Sequence, residues 1–404
     1  MPHRRLRRGG GRGGVMRVAY VCADRGIPVF GCNGGAVHVQ EMIAALRGLG
    51  HHVELFAANA NDSPPVELAS LPVHQITLPS QADGARLETN DLLRAALAAA
   101  DPFDLVYERY SLWSFAAMEF ARDCGASGVL EVNAPLIDEQ ATYRGGVDRA
   151  AAERVAARAF TAASLLITVS SELALYAQQR AATGAPVHVV PNAVNPRRFP
   201  IDVLPTITNT EGTFTIGFLG SMKPWHGLPA LIEAFALLHE RAAEARLLLV
   251  GDGPERRSIE AALDARGVRA AATFTGAVPP TEVPGLLASM DVAVAPYPHL
   301  PLFYFSPLKV YEYMAAGLPT VASRVGQLTE LITDDVTGLF YAPGDATALT
   351  ACLDRLRRDR GLRRCLGQAA RARVLRDHTW EATAHRILYL TGATAAARPT
   401  EAAR

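Results

Sequence analysis

The chain has little that could staple it covalently or anchor it in a bilayer. Its five cysteines, Cys22, Cys32, Cys124, Cys352 and Cys365, are an odd number, widely spaced and without a C-x-x-C pair. That argues against a disulfide framework or a structural zinc and for a reducing compartment. No apolar run approaches the roughly 20 residues that a spanning helix needs. The sequence therefore reads as a soluble, cytoplasmic chain with no transmembrane segment. Neither sign of charge is in excess: 40 Lys plus Arg balance 40 Asp plus Glu, so no bulk field calls for nucleic acid. The G-x-G-x-x-G fingerprint of nicotinamide binding is missing after the first strand, which disfavours an oxidoreductase. No Asp-rich pair at a strand end suggests a metal-dependent centre. Residues 1–15 are Arg- and Gly-rich but lack the apolar middle of a signal peptide, so they read as a disordered leader, with Met16 as a possible working start.

Apolar residues are plentiful, at 49% of 404, enough for two or three domains with substantial cores. Met16 to Cys22 reads as a buried strand, followed by a glycine loop from Asp24 to Gly35. A helix follows with Val39, Met42/Ile43, Leu46 and Leu49 on one face, and then a strand from His52 to Ala57. Strand, glycine loop, helix, strand is a βαβ unit and implies a parallel sheet. Further strands are expected at 103–107, 128–132, 165–169 and 187–190. Polar residues gather just past their ends: Glu108-Arg109-Tyr110, Asn133 and Ser170-Ser171-Glu172. The carboxyl edge of a parallel sheet is where ligands bind, although each of these groups could equally cap the next helix, and for Ser170 and Ser171 capping is preferred. A linker is expected from Pro191 through Gly212, and a second βα series follows, with strands at 214–219, 246–250, 272–275, 291–295, 319–323 and 338–341. Two α/β domains joined by a linker imply a cleft between them.

One stretch in the second half carries its own punctuation. In Ser306-Pro307-Leu308-Lys309-Val310-Tyr311-Glu312-Tyr313-Met314-Ala315-Ala316-Gly317-Leu318-Pro319, Ser306 can cap a helix and Pro307 suits its first turn. Gly317 suits the left-handed position past its end, and Pro319 stops it. A loop feeding such a helix start offers free N–H groups to a phosphate. Glu312 inside the helix could accept from paired sugar hydroxyls. The plainer alternative is a core helix with a Lys309–Glu312 surface pair.

In combination these features resemble the retaining glycosyltransferases of the GT-B fold, family 4, over residues 16 to about 390. The carrying motifs are Gly217-Phe218-Leu219-Gly220-Ser221-Met222-Lys223-Pro224-Trp225-His226-Gly227, Val250-Gly251-Asp252-Gly253-Pro254, Phe274-Thr275-Gly276, the Ser306–Pro319 stretch and Val325 to Glu330. Gly34-Gly35, Tyr107 to Tyr110, Glu131 to Leu136 and Pro191 to Val194 carry it in the first half. The resemblance implies two Rossmann-like βαβ domains facing each other across a central cleft. Residues 16–199 would form an acceptor-binding domain and residues 200–377 a donor-binding domain. A helix at 378–390 would cross back to the first domain, followed by a tail at 391–404.

It also implies roles. Ser306, Pro307, Leu308 and Lys309 would cradle the diphosphate, with Gly34 and Gly35 closing over it and Lys223 and His226 supplying charge. Glu312 would grip the ribose, and Gly253 and Val278 would lie by the base. Tyr304, Phe305 and Ser306 would face the donor sugar, while Glu108, Arg109 and Glu131 would lie on the acceptor side. Lys223, Asn133 and Glu312 are the expected catalytic set.

This sequence departs from the family pattern at three places. Tyr304 stands where the family has the first of two glutamates, Ser221 and His226 replace its Arg and Lys, and Asn133 replaces a histidine. The implied activity is transfer from a UDP- or GDP-sugar to a small-molecule or glycan acceptor, with no metal and no other cofactor, by a monomer or homodimer. The preferred route is same-face attack, with Glu131 or Glu108 as the nucleophile of a double-displacement alternative. A degenerate nucleotide-sugar-binding partner subunit and a GT-B epimerase are the competing readings. The Asp24–Asn33 and Pro135–Gly146 loops are expected to hold the acceptor, and the aromatic Pro296–Phe305 loop to line the sugar pocket.

Overall fold

The computed structural model describes residues 14–77, 85–143, 146–181, 184–208 and 210–396. Most of the expected leader (1–13) and of the expected tail (397–404) lies outside them. Among the described residues, thirteen strands form two wholly parallel sheets. The first contains β1 (Arg17–Cys22), β2 (His52–Ala57), β3 (Val73–Gln75), β4 (Leu105–Arg109), β5 (Ser127–Val132), β6 (Leu165–Thr168) and β7 (Val187–Val189), ordered β3-β2-β1-β4-β5-β6-β7. The second contains β8 (Phe214–Leu219), β9 (Ala245–Val250), β10 (Ala272–Gly276), β11 (Val292–Ala295), β12 (Thr320–Ser323) and β13 (Leu339–Tyr341), ordered β10-β9-β8-β11-β12-β13. Each sheet reverses its winding once, between β1 and β4 and between β8 and β11. Such reversals open a crevice at the carboxyl ends of the strands.

The strands read as continuous apolar runs because helices cover both faces of each sheet. Ala19 and Val21 enter one core while Val18, Tyr20 and Cys22 enter the other. In the second domain, Ile216 and Phe218 lie on one side and Leu219, Leu248 and Val250 on the other. β3 is short and half-exposed and carries no apolar signal in the sequence.

The chain crosses between domains twice, and the crossings pair with each other. Val194 N–H donates to the His378 carbonyl (3.0 Å), and Trp380 N–H donates to the Val194 carbonyl (3.1 Å). The last helix, Trp380–Ala396, extends six residues past the expected end at 390. Its Trp380, Ala384 and Ile387 are buried in the core of the first domain. None of the helices among the described residues is long and apolar enough to cross a membrane.

Candidate functional site in the cleft

The Leu308–Ala315 helix stands at the centre of the cleft. Its C-terminus is as the sequence implies: Gly317 has φ +72°. Leu318 N–H donates to the Tyr313 carbonyl and Gly317 N–H to the Met314 carbonyl, which closes the helix with paired bonds to its last turn.

Its N-terminus differs. Pro307 occupies the cap position, one residue before the first turn, and no side chain caps the helix. Ser306 Oγ instead accepts the backbone N–H of Asn192, 3.0 Å away in the linker. The buried Asn192 N–H needs an acceptor, and Ser306, one residue before the cap position, supplies it. The first N–H groups of the helix are thereby left without a side-chain acceptor, which suits an anion.

A second helix start faces this one. The Gly34–Gly48 helix begins five residues before its apolar stripe, capped by Asn33, whose Oδ1 accepts from Ala36 N–H at 2.9 Å. A side chain added at Gly34 would come within 3.7 Å of Leu308 Cδ1, so the two helix N-termini oppose each other across the cleft.

The second residue of the Leu308–Ala315 helix is a buried lysine. Lys309 is 8% exposed, and its Nζ has no hydrogen-bond partner in the protein. It sits 4.0 Å from the Phe218 ring centroid and 5.5 Å from that of Tyr297. Burial pulls its pKa down to about 7. The Gly220 backbone lies against it: φ there is +133°, and a Cβ would stand 2.8 Å from Nζ. Lys309 is therefore not one half of a surface pair with Glu312, as the plainer reading has it.

Glu312 pairs elsewhere, accepting from Arg198 Nη1 at 3.0 Å. Arg198 also reaches Glu41 (3.4 Å) and the Pro280 carbonyl (3.1 Å). Burial raises the Glu312 carboxyl, opposed by the Arg198 charge. Arg198 and Glu41 carry no local sequence signal, because the bond to Glu312 joins residues 114 apart.

His226 is not the assisting cation that the sequence reading allows. Burial and then the nearby Lys309 charge push it down to about 2, so it is neutral. Its Nδ1–H donates to the Ser221 carbonyl, and its ring meets Tyr297 edge-on at 5.7 Å. Lys223 remains at the mouth of the same loop, 5.8 Å from the Trp225 ring centroid. Gly253 packs against this loop so closely that a Cβ would meet Met222 N at 2.6 Å. Its N–H donates to Asp252 Oδ1 (2.7 Å), and Val278 is half-buried against the core that holds Leu219 and Val250.

The Tyr304 hydroxyl donates across the cleft to Glu139 on the Leu136–Tyr143 helix of the first domain. Phe305 stacks with Tyr297 at 6.0 Å.

The residues expected on the acceptor side separate. Glu131 is 2% exposed and turned inward, its Oε2 2.9 Å from His38 Nε2, so it is not an open nucleophile. Glu108 is fully buried: one oxygen accepts from Ser114 Oγ, the other has no partner, and burial raises its pKa to about 7. Arg109 Nη1 and both polar side-chain atoms of Asn133 are buried without hydrogen-bond partners.

A cavity of about 380 Å³ opens beside Glu108, at the carboxyl edge of β1 and β4. Its lining includes Asp24, Arg25, Ser111, Trp113, Ser114 and Gln140. It draws on both loops expected to hold the acceptor. Among the described residues, no group of three or more His, Cys, Asp or Glu could hold a metal ion.

Residues 33–193 match the family described as "Glycosyl transferase 4-like domain", and residues 213–359 match "Glycosyl transferases group 1". The 2-deoxystreptamine glucosyltransferase of Streptomyces kanamyceticus is 32% identical over 181 residues, 42% of this chain and 45% of that protein. A GDP-mannose-dependent alpha-(1-6)-phosphatidylinositol dimannoside mannosyltransferase of Mycobacterium tuberculosis is 36% identical over 165 residues, 41% of this chain and 40% of its own length. The matched stretch is thus about half or less of such relatives. Among solved structures, sucrose-phosphate synthase from Thermosynechococcus elongatus superposes with a TM-score of 0.74 at 21% identity, covering 95% of this chain and all of the other. Anabaena HepE, solved with UDP and glucose, gives 0.70 at 17% identity, covering 93% and 99%. These two likenesses establish the GT-B fold.

Proposed function

The chain belongs to the group 1 glycosyltransferases of the GT-B fold, and from that premise we propose that it transfers a sugar from a UDP- or GDP-sugar to a small-molecule or glycan acceptor, with retention and without a metal. The observation that carries this reading is Lys309: a buried amine with no hydrogen-bond partner in the protein, in the first turn of the helix whose start faces that of the Gly34–Gly48 helix, and against the Gly220 backbone. A buried charge without a partner is costly, and a diphosphate in the cleft would supply one.

In the proposed reaction, the bond between the anomeric carbon and the β-phosphate oxygen breaks. The acceptor oxygen or nitrogen bonds to the same face of that carbon, and its proton passes to the departing phosphate oxygen. Negative charge builds on the diphosphate as it leaves. Lys309, Lys223 and the N–H groups at Gly34, Gly35, Leu308 and Lys309 would stabilise that charge, with most effect in the transition state. Glu312 would take the ribose hydroxyls, with Arg198 holding its carboxylate in place. Gly253 and Val278 would border the base, and Tyr304, Phe305 and Ser306 the donor sugar. The acceptor would enter the cavity by Asp24 and Trp113, near Glu108, Arg109 and Asn133.

Support for the donor comes from the relatives: one is named for GDP-mannose and one neighbour is solved with UDP. A glucosyltransferase among the relatives named for a small aminocyclitol is in keeping with a small acceptor cavity. The test is incubation with UDP-glucose and GDP-mannose, each with and without chelator, followed by proton NMR of the anomeric signal. Chelator-insensitive release of UDP or GDP with an α-configured product or free sugar supports the reading. Binding without any release in the presence of acceptor mixtures would favour the non-catalytic partner subunit instead.

A further inference from the structure

A buried polar network joins the first domain to the linker and the central helix. His38 is 2% exposed, one turn into the Gly34–Gly48 helix. Its Nδ1 lies 2.8 Å from Asn192 Oδ1 and its Nε2 lies 2.9 Å from Glu131 Oε2. The ring meets Trp380 of the returning helix edge-on at 4.8 Å. Asn192 is fixed twice to Ser306: its backbone N–H donates to Oγ (3.0 Å), and its Nδ2 donates to the carbonyl (2.5 Å).

The proton count follows from this geometry. Turning the Asn192 amide over would set its oxygen against the Ser306 carbonyl, so Oδ1 must face His38 and must accept. His38 Nδ1 therefore carries a hydrogen. Its other nitrogen faces a carboxylate, and two acceptors in contact inside the protein would each lose a hydrogen bond. A second proton must lie between Nε2 and Glu131. Burial raises the Glu131 carboxyl, but the His38 and Arg109 charges and the Tyr107 hydroxyl outweigh it and hold it below the ordinary carboxylate range. The groups that face the ring are Glu131 from β5, Asn192 from the linker and Trp380 from the last helix, with Arg109 of β4 behind Glu131.

We propose that His38 is a positioning residue for the donor site: a buried imidazolium, balanced by Glu131, that aligns Asn192 to clamp Ser306 just before the diphosphate-facing helix start. The chain of bonds runs from the first-domain sheet through the linker into the donor domain. It makes the placement of Pro307 and Leu308 depend on a charge located in the other domain. This rests on the nucleotide site proposed above.

The test has two arms. In ¹⁵N-histidine NMR at pH 7.5, the His38 signal, assigned by its loss in His38→Gln, should show both ring nitrogens protonated. In Glu131→Gln it should convert to a single tautomer with the hydrogen on Nδ1. A single neutral tautomer in the unaltered protein overturns the proposal. In calorimetric titration with UDP and GDP, His38→Gln and Asn192→Ala should each weaken the bound nucleotide about tenfold. Because both act through one contact, the double variant should be no weaker than the weaker single. Additive losses, or undiminished affinity in a folded His38→Gln protein, overturn it. If the unaltered protein binds neither nucleotide, the nucleotide-site reading falls, and the clamp falls with it as a donor-site device. Binding by a protein whose His38 is neutral overturns the clamp alone.

Discussion

Replacing Lys309 with Met keeps the length and apolar stem of the side chain and removes its charge. In the empty site, burial lowers the lysine from 10.5 to about 7. A bound diphosphate would oppose that shift and favour the charged form, so nucleotide binding should take up a proton above pH 7. The sign follows directly. The free site has the depressed pKa and the occupied site the higher one, so affinity is fully present below pH 7 and falls as pH rises through and beyond it. If only the ammonium form binds, the apparent dissociation constant should rise about fiftyfold between pH 7 and pH 9, with uptake of about 0.9 proton per nucleotide at pH 8. The nucleotide contributes little to this slope, because a terminal phosphate titrates at about 6 and is about nine-tenths ionised already at pH 7. Calorimetry with UDP or GDP in buffers of different ionisation enthalpy measures the uptake directly. Lys309→Met should bind about tenfold or more weakly at pH 7, since a charge-assisted bond contributes roughly 1.5–3 kcal/mol. Its affinity should be flat from pH 7 to 9. A slope that survives in Lys309→Met, or no proton uptake by the unaltered protein, refutes the assignment.

Three further outcomes are expected. Glu108 is fully buried, and its folded pKa is raised from 4.5 to about 7, so the folded state holds a proton that the unfolded state has lost. Stability should therefore fall as pH rises from 4.5 to 7, by about 3 kcal/mol from this group, and Glu108→Gln should remove that fall in denaturant unfolding at pH 5 and 8. Gly227→Ala should cost about 3 kcal/mol or more in thermal unfolding, because φ is +68° and the new Cβ would sit 1.7 Å from the Pro296 carbonyl oxygen, a rigid backbone atom. Chelator should leave nucleotide affinity unchanged within about twofold by calorimetry, since lysines and helix N-termini rather than a metal ion are assigned to the diphosphate.

The sequence carries the strands well, because a parallel strand covered on both faces is a continuous apolar run; β8 has the expected limits of 214–219. β3 escapes because it is a three-residue, partly exposed edge. The Gly317 end of the central helix is legible because it depends on local backbone geometry alone. Its start is not, because Ser306 answers to Asn192, 114 residues away, and a cap and a long-range acceptor look alike in sequence. His226 titrates like a core residue only once Tyr297 and Lys309 are packed around it. His38 lies on a helix whose apolar pattern conceals it and Arg198 on a short turn of the linker, and their hydrogen-bonded side-chain partners are 93 to 157 residues distant. Local chemistry is read from spacing; a network between domains is read only from contacts.

The central claim is that the Leu308–Ala315 helix holds a nucleoside diphosphate, with phosphates at its start and ribose at Glu312. Calorimetric titration of the protein and of Glu312→Ala with UDP, GDP, ADP and dTDP tests it most directly. The account predicts that UDP or GDP binds and that losing Glu312 weakens it about tenfold or more, the size of effect a charge-assisted contact contributes. No binding by any of the four, or equal binding by Glu312→Ala, would contradict it.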